Sequence, residues 1–257
     1  MVTVNAMSCK LYANIGVGHE NDWDTLERRL VAAAQCNADA VVINKSTPWI
    51  MVPDEKKYAA VDSKWGSLPF IEVAKRSELS EQNAARLTAF ANDIGIPIIW
   101  SVTDSTAAEF VKEFCDAKTV KLHYDATNLY ELSRFCKNTF QHVIFNINHR
   151  EHYEALYGNR KSDYTVYYTT SAFPPKPQDL QFGIMDKHIG VNFNVGYEGR
   201  EAGIFPAMAL VYKGVVHIEK YLGDDHSDNP SILTPAQFMD LFNSMLLLEE
   251  AAEVHAT

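Results

Sequence analysis

The sequence predicts an α/β protein of the (β/α)8 TIM-barrel class, folded as a single domain. Three observations point there. Short apolar runs alternate with longer stretches at helical spacing, which is the pattern of parallel strands joined by crossover helices. Eight such runs can be counted, and 257 residues suits one barrel of this class. Nearly half the residues are hydrophobic, so a large core is available and general disorder is excluded. The expected unit spans 1–257, with a long loop at about 45–70 and a frayed tail at 249–257.

The candidate strands are Leu11–Gly16, Ala38–Asn44, Ile96–Ser101, Thr119–His123, His142–Ile147, Tyr164–Thr169, Ile189–Val195 and Val215–Tyr221. Between the first two, Trp23, Leu26, Leu30, Ala33 and Ala34 form one helical stripe. Ala84, Leu87, Phe90, Ala91 and Ile94 form another, and Gly95 is placed to cap it. Phe110, Val111 and Phe114 follow capping residues at Asp104–Thr106, and Leu129, Leu132, Phe135 and Cys136 follow Thr127 and Asn128. The last helix has the fullest start signal. Thr234-Pro235-Ala236-Gln237 joins an N-cap, a first-turn proline and a capping-box glutamine ahead of Phe238, Leu241, Phe242, Met245 and Leu248. Lys45–Phe70 and Gly223–Pro230 are longer connections after the second and eighth strands, at the rim where barrel sites are built.

Charge narrows the partners. A formal net charge of -10 argues against nucleic acid, which needs a basic face, but leaves room for a small anion held by a few local cations. No apolar stretch approaches membrane-spanning length, and the N-terminus lacks a basic region followed by an apolar run. A cytoplasmic protein with no membrane partner is expected. Cys9, Cys36, Cys115 and Cys136 lack the close paired spacing of zinc sites, so buried reduced thiols are the expectation.

The segment Val216–Leu222 singles itself out. Side chains alternate along a strand, so His217, Glu219 and Tyr221 share one face and aim into the barrel. Buried polar groups need partners or a ligand, because an unsatisfied one costs roughly 1–3 kcal/mol.

The order of short motifs resembles the sialic acid synthase family, barrel enzymes that condense phosphoenolpyruvate with an N-acyl hexosamine. Ala13-Asn14-Ile15-Gly16-Val17-Gly18-His19 is similar to the family's Ala-Glu-Ile-Gly-x-Asn-His, and Ala38-Asp39-Ala40-Val41-Val42-Ile43-Asn44 to its Ala-Asp-Ala-Val-Lys-Phe-Gln. Val120-Lys121-Leu122 resembles Tyr-Lys-Ile, Ser171-Ala172-Phe173-Pro174 resembles Ser-x-Tyr-Pro, and Glu219-Lys220-Tyr221 stands where the family has Glu-Lys-His. Asp228 with Ser231-Ile232-Leu233-Thr234-Pro235 is similar to its terminal Asp-His-x-x-Ser-Leu-x-Pro. The sequence stops before the small antifreeze-like domain that many members use, often across a dimer, so a homodimer is one expectation.

The resemblance implies roles residue by residue. Lys121 matches a lysine that contacts phosphoenolpyruvate, Glu219 a carboxylate that holds sugar hydroxyls, and Asp228 an aspartate near the acceptor; these three are the candidate catalytic residues. Lys121 can equally be a charge partner for a neighbouring carboxylate, with a Schiff-base amine as a weaker alternative, and Glu219 and Asp228 can equally cap or pair within their loops. The family's manganese is held by two histidines, which align with Arg200 and Tyr221. A guanidinium cannot ligate a cation and a neutral phenol is a poor substitute for imidazole, so no metal or other cofactor is expected. Asn14 replaces an early carboxylate, Val42 a lysine, and Tyr124, Asn146 and Glu198 three serines that contact phosphate.

The remaining candidate substrate-binding residues are Asn14, His19, Asn146, Glu198, Arg200, His217 and Tyr221. Arg200 either binds an anion or pairs with Glu198 or Glu201; His19 either shapes its loop or takes part in chemistry; His217 is either a core histidine or a ligand contact. Three functions compete: a carbohydrate-synthesising enzyme with an altered, metal-free site; a non-catalytic sugar-binding or protein-interaction relative, that is, a pseudoenzyme; and a different reaction in the same pocket.

Overall fold

In the computed structural model, which describes residues 8–16, 18–148, 164–180, 182–189, 194–224 and 228–253, the first and last barrel strands meet. Strand β1 (Lys10–Gly16) hydrogen-bonds to β2 (Ala40–Lys45) on one side and to β10 (His217–Leu222) on the other, which closes the sheet. The chain passes from β1 through α1 (Trp23–Gln35) to β2, then α2 (Pro48–Met51), β3 (Ala60–Ser63), β4 (Gly66–Pro69), α3 (Phe70–Ser77) and α4 (Glu81–Ile94). It continues with β5 (Ile98–Val102), α5 (Ser105–Phe114), β6 (Thr119–Leu122), α6 (Leu129–Thr139), β7 (His142–Ile147) and β8 (Tyr164–Tyr168). After α7 (Gly183–Ile189) come β9 (Val195–Gly199), α8 (Phe205–Tyr212), β10, β11 (Ile232–Leu233) and α9 (Pro235–Glu253). The eight strands β1, β2, β5, β6, β7, β8, β9 and β10 form the parallel barrel; β11 adds to β10, and β3–β4 is a separate antiparallel hairpin.

Alternation along the strands creates two apolar layers. Leu11, Ala13 and Ile15 of β1, Val41 and Ile43 of β2, and Trp100 and Val102 of β5 face outward against Leu26, Leu30, Leu87 and Ala91 of the helices. Ala40, Val42, Ile99, Ile144 and Tyr167, with Tyr12 against them, fill the inside. The helices begin where capping chemistry allows: Asp22, Ser80 and Asp104 each accept from a first-turn backbone N–H. Thr234 and Gln237 exchange capping bonds of 3.3 and 2.9 Å, and Gly95 ends α4 at φ 76°. No helix among the described residues is long and apolar enough to cross a membrane.

One strand differs from the expectation. Ile189 ends α7, residues 190–193 lie outside the described residues, and the seventh barrel strand is Val195–Gly199. Glycine weakens the sequence signature of a strand, yet both glycines are sterically required. A Cβ on Gly196 would sit 2.2 Å from the Tyr167 ring, and one on Gly199 would sit 2.7 Å from Lys220. The change puts Glu198 on the strand itself.

The connection Lys45–Phe70 holds α2 and the hairpin. At the other end, α9 runs to Glu253, and its Glu249 accepts from Ser8 Oγ at 2.7 Å and Cys9 N at 3.0 Å. Residues 254–257 lie outside the described residues.

Gly196→Ala is expected to destabilise the fold by at least about 1–3 kcal/mol, the usual range for overpacking a filled core. Urea denaturation measures it; an unchanged midpoint would contradict this packing.

Candidate functional site

Four strands bring polar side chains into the upper barrel, three of them charged. Lys121 comes from β6, Glu198 from β9, Glu219 from β10 and Asn14 from β1, and none of the three charged side chains has any exposed surface. The Lys121 ammonium donates to Glu198 Oε2 at 3.0 Å and to Glu219 Oε1 at 2.5 Å. Asn14 Nδ2 donates to Glu219 Oε1 at 2.7 Å, while Asn14 Oδ1 accepts from Gly16 N at 2.8 Å. Asn146 of β7 donates to Glu198 Oε2 at 2.5 Å. Charges this deep require such pairing, because desolvation alone would neutralise them.

Arg200 completes the network one residue beyond β9. Its Nε donates to Glu198 Oε1 at 2.9 Å, Nη1 to Tyr124 OH at 3.0 Å and to the Ser171 carbonyl at 3.2 Å, and Nη2 to Tyr221 OH at 3.2 Å. Tyr221 in turn donates to Glu198 Oε1 at 3.0 Å. The guanidinium lies 4.6 Å from the Tyr124 ring centre and 5.5 Å from that of Phe173, which itself packs on Tyr221 at 4.8 Å. Four of its five N–H groups are used, leaving one on Nη2.

Burial and charge set the protonation states. Burial opposes ionisation of Glu198, but Lys121 and Arg200 outweigh it and hold the carboxyl well below the usual range. Glu219 moves the other way, pushed up by burial and by the charge of Glu198, against the pull of Lys121; its Oε2 has no hydrogen-bond partner among the described residues. Burial also opposes the Lys121 charge, yet the two glutamates keep the ammonium above its ordinary range. A protonated amine has no lone pair for carbonyl attack, so the Schiff-base role is not supported. Burial, then the Glu198 charge, raises the Tyr221 phenol well above its normal value.

These residues do not fit a manganese ion. A guanidinium and a protonated phenol stand at the positions where two imidazoles are needed, and Glu198 already accepts from Lys121, Asn146, Arg200 and Tyr221. Among the described residues no group of three His, Cys, Asp or Glu side chains could hold a metal.

The remaining sequence-predicted residues separate. His217 lies inside at the opposite end of the barrel, its ring 5.0 Å from that of Tyr12 and 5.8 Å from that of Tyr167, and burial lowers it to about 4. It lines a cavity of about 810 Å³ at the N-terminal mouth with Lys10, Tyr12 and His142. His19 is buried in the first strand–helix loop; Asn21 N donates to its Nδ1 at 3.0 Å, so its proton sits on Nε2, and burial and Arg29 lower it to about 4. Asp228 is exposed and takes no part in the hydrogen bonds around Lys121. A second cavity of about 400 Å³ opens at the C-terminal mouth, lined by Asn14, Gly16, Arg29, Phe173, Tyr221 and Asp224. The C-terminal mouth is the candidate site, because the ion network reaches the cavity wall there through Asn14 and Tyr221.

Sequence reasoning missed one residue at this mouth and one on the outer side of the barrel. His123 directly follows β6, and its Nδ1 is hydrogen-bonded to Asp125. The available signal was His-x-Asp at the C-terminal end of a barrel strand, where functional side chains gather. Lys220, also overlooked, points to the opposite side of β10 and pairs with Glu201 at 3.0 Å; Tyr197 OH donates to the same carboxylate at 2.6 Å.

The NeuB family profile matches residues 30–256. N-acetylneuraminate-9-phosphate synthase of Mus musculus is 26% identical over 256 residues, covering 95% of this chain and 71% of that protein. N,N'-diacetyllegionaminic acid synthase of Legionella pneumophila is 25% identical over 259 residues, covering 94% of this chain and 72% of its own length. The solved N-acetylneuraminic acid (sialic acid) synthetase of Leptospira borgpetersenii has the same fold, with a TM-score of 0.81 at 17% identity over 96% of this chain and 85% of that one.

Lys121→Met is expected to destabilise the protein by about 3–5 kcal/mol at neutral pH, since it strands two buried carboxylates. The sign follows from Glu198: its depressed folded value means its ionic stabilisation is present above about 4.5 and fades as pH falls further. The loss caused by the substitution should therefore shrink in acid. Chemical denaturation across pH measures both effects, and a variant of wild-type stability at neutral pH would contradict the pairing.

Proposed function

Because this chain belongs to the NeuB family, we propose that it is a sialic acid synthase-like protein of carbohydrate biosynthesis whose site works without manganese. The reading has a sugar or small anion meet the C-terminal mouth of the barrel. One observation carries it: the Arg200 guanidinium, held by Glu198 and Tyr221, supplies a fixed positive charge at this mouth, at a position where the family resemblance implies a metal-binding histidine. A guanidinium cannot open a coordination position, but its remaining N–H can hydrogen-bond a carbonyl or carboxylate oxygen. Asn14 and Tyr221, on the wall of the cavity at that mouth, are the residues proposed to orient that ligand, with Arg200 behind Tyr221. Four buried free cysteines support a reducing, cytoplasmic setting.

A second reading has its own support. Lys121, Glu198 and Glu219 are fully buried, and the ammonium pairs with both carboxylates, which suits a barrel that binds a ligand at its mouth without turning it over.

Native mass spectrometry with phosphoenolpyruvate and N-acetylmannosamine, with and without manganese, tests the proposal. Complexes that form equally well with and without the metal are expected. Consumption of both compounds supports synthesis, complexes without consumption support the second reading, and manganese-dependent binding or no binding at all contradicts both.

A further inference from the structure

The loop after β6 carries a side-chain pair that the network around Lys121 does not use. His123 is fixed at both backbone groups: its N–H donates to the Val102 carbonyl at 2.9 Å, and its carbonyl accepts from Ala126 N at 3.0 Å. The ring packs on Tyr124 at 4.5 Å between centroids, and Nδ1 is hydrogen-bonded to Asp125. A carboxylate on one ring nitrogen fixes the orientation of the imidazole and leaves Nε2 free of that bond. The side chain is only 11% exposed while Asp125 is 47% exposed, so the ring is largely covered and its carboxylate partner reaches solvent beyond the C-terminal end of β6.

The dyad is joined to the fixed cation. Tyr124, stacked on His123, accepts a hydrogen bond from Arg200 at 3.0 Å and lies under its guanidinium. The charged groups facing His123 are Asp125, Glu198 and Arg200. Burial would raise the Asp125 carboxyl, but its bond to His123 outweighs this and, with Arg200 adding, holds it below the ordinary range.

We propose that His123, oriented by Asp125, is the acid that protonates the carbonyl oxygen of an open-chain aldehyde sugar at this mouth. The inference rests on the functional reading above and names the chemistry that replaces the metal. The double-bond electron pair of an enol phosphate forms the new carbon–carbon bond, and the carbonyl π pair moves to oxygen and takes the Nε2 proton. Water then adds to the cationic carbon and loses a proton to solvent; the bond from that carbon to the phosphate oxygen breaks with its pair on inorganic phosphate, and the new hydroxyl gives its proton to the departing phosphate as it becomes a ketone. His123, left neutral, regains its proton from solvent. Arg200 contributes charge to the developing alkoxide and Asp125 positions the ring.

The experiment follows phosphate release and sugar product from phosphoenolpyruvate and N-acetylmannosamine in metal-chelated buffer. His123→Ala is expected to lower kcat by about 10²–10⁴-fold, the usual worth of a positioned acid or base, with little change in KM. Added imidazole should restore part of the kcat, a response that a merely structural histidine would not give. Asp125→Asn should lower kcat by a smaller factor, again without raising KM. Wild-type kcat in His123→Ala, or a loss that imidazole does not relieve, would overturn the role of His123 and leave the functional reading standing. Binding without turnover in the wild type would also overturn it, in favour of the non-catalytic reading. No binding by the wild type would remove both the proposal and the reading on which it rests.

Discussion

Glu198 is a carboxylate with no exposed surface that accepts from Lys121, Asn146, Arg200 and Tyr221. An ion buried to this degree persists only when nearby charge and hydrogen bonds offset its lost hydration. That requirement organises the upper barrel. It draws Lys121 across from β6, holds Arg200 over the end of β9, keeps Tyr221 protonated as a donor, and through Arg200 ties in Tyr124 and the Ser171 carbonyl.

The proposed replacement of a metal by a guanidinium has chemical consequences. A metal ion offers open coordination positions and polarises whatever oxygen enters them. Arg200 offers permanent charge in a planar fork whose direction is set by its partners, and most of that fork is already engaged. Such a group can stabilise negative charge on oxygen, but it cannot donate a proton as an acid at neutral pH. A separate proton source is then required for carbonyl chemistry at this mouth, and His123 lies next to the residue that Arg200 contacts.

Much of the fold was legible because it depends on local pattern. The alternation in Val216–Leu222 correctly placed His217, Glu219 and Tyr221 inside, and the cap residues Asp104, Gly95 and Thr234 marked helix ends. The seventh strand was illegible because Gly196 and Gly199 satisfy contacts with Tyr167 and Lys220, side chains distant in sequence. For the same reason a single sequence could pose the choice between Glu198 and Glu201 as partner of Arg200 but not resolve it; Lys220 claims Glu201 and leaves Glu198 to Arg200. His217 was read as sharing a face with Glu219, which is true, but the length of the barrel sends the two to different ends of its interior.

The most direct measurement is X-ray diffraction at the manganese absorption edge from crystals grown with excess manganese. The account predicts no anomalous peak in contact with Glu198 or Tyr221, with Arg200 in its ion pair. A strong peak there, with the guanidinium swung away and Glu198 among the ligands, would contradict it.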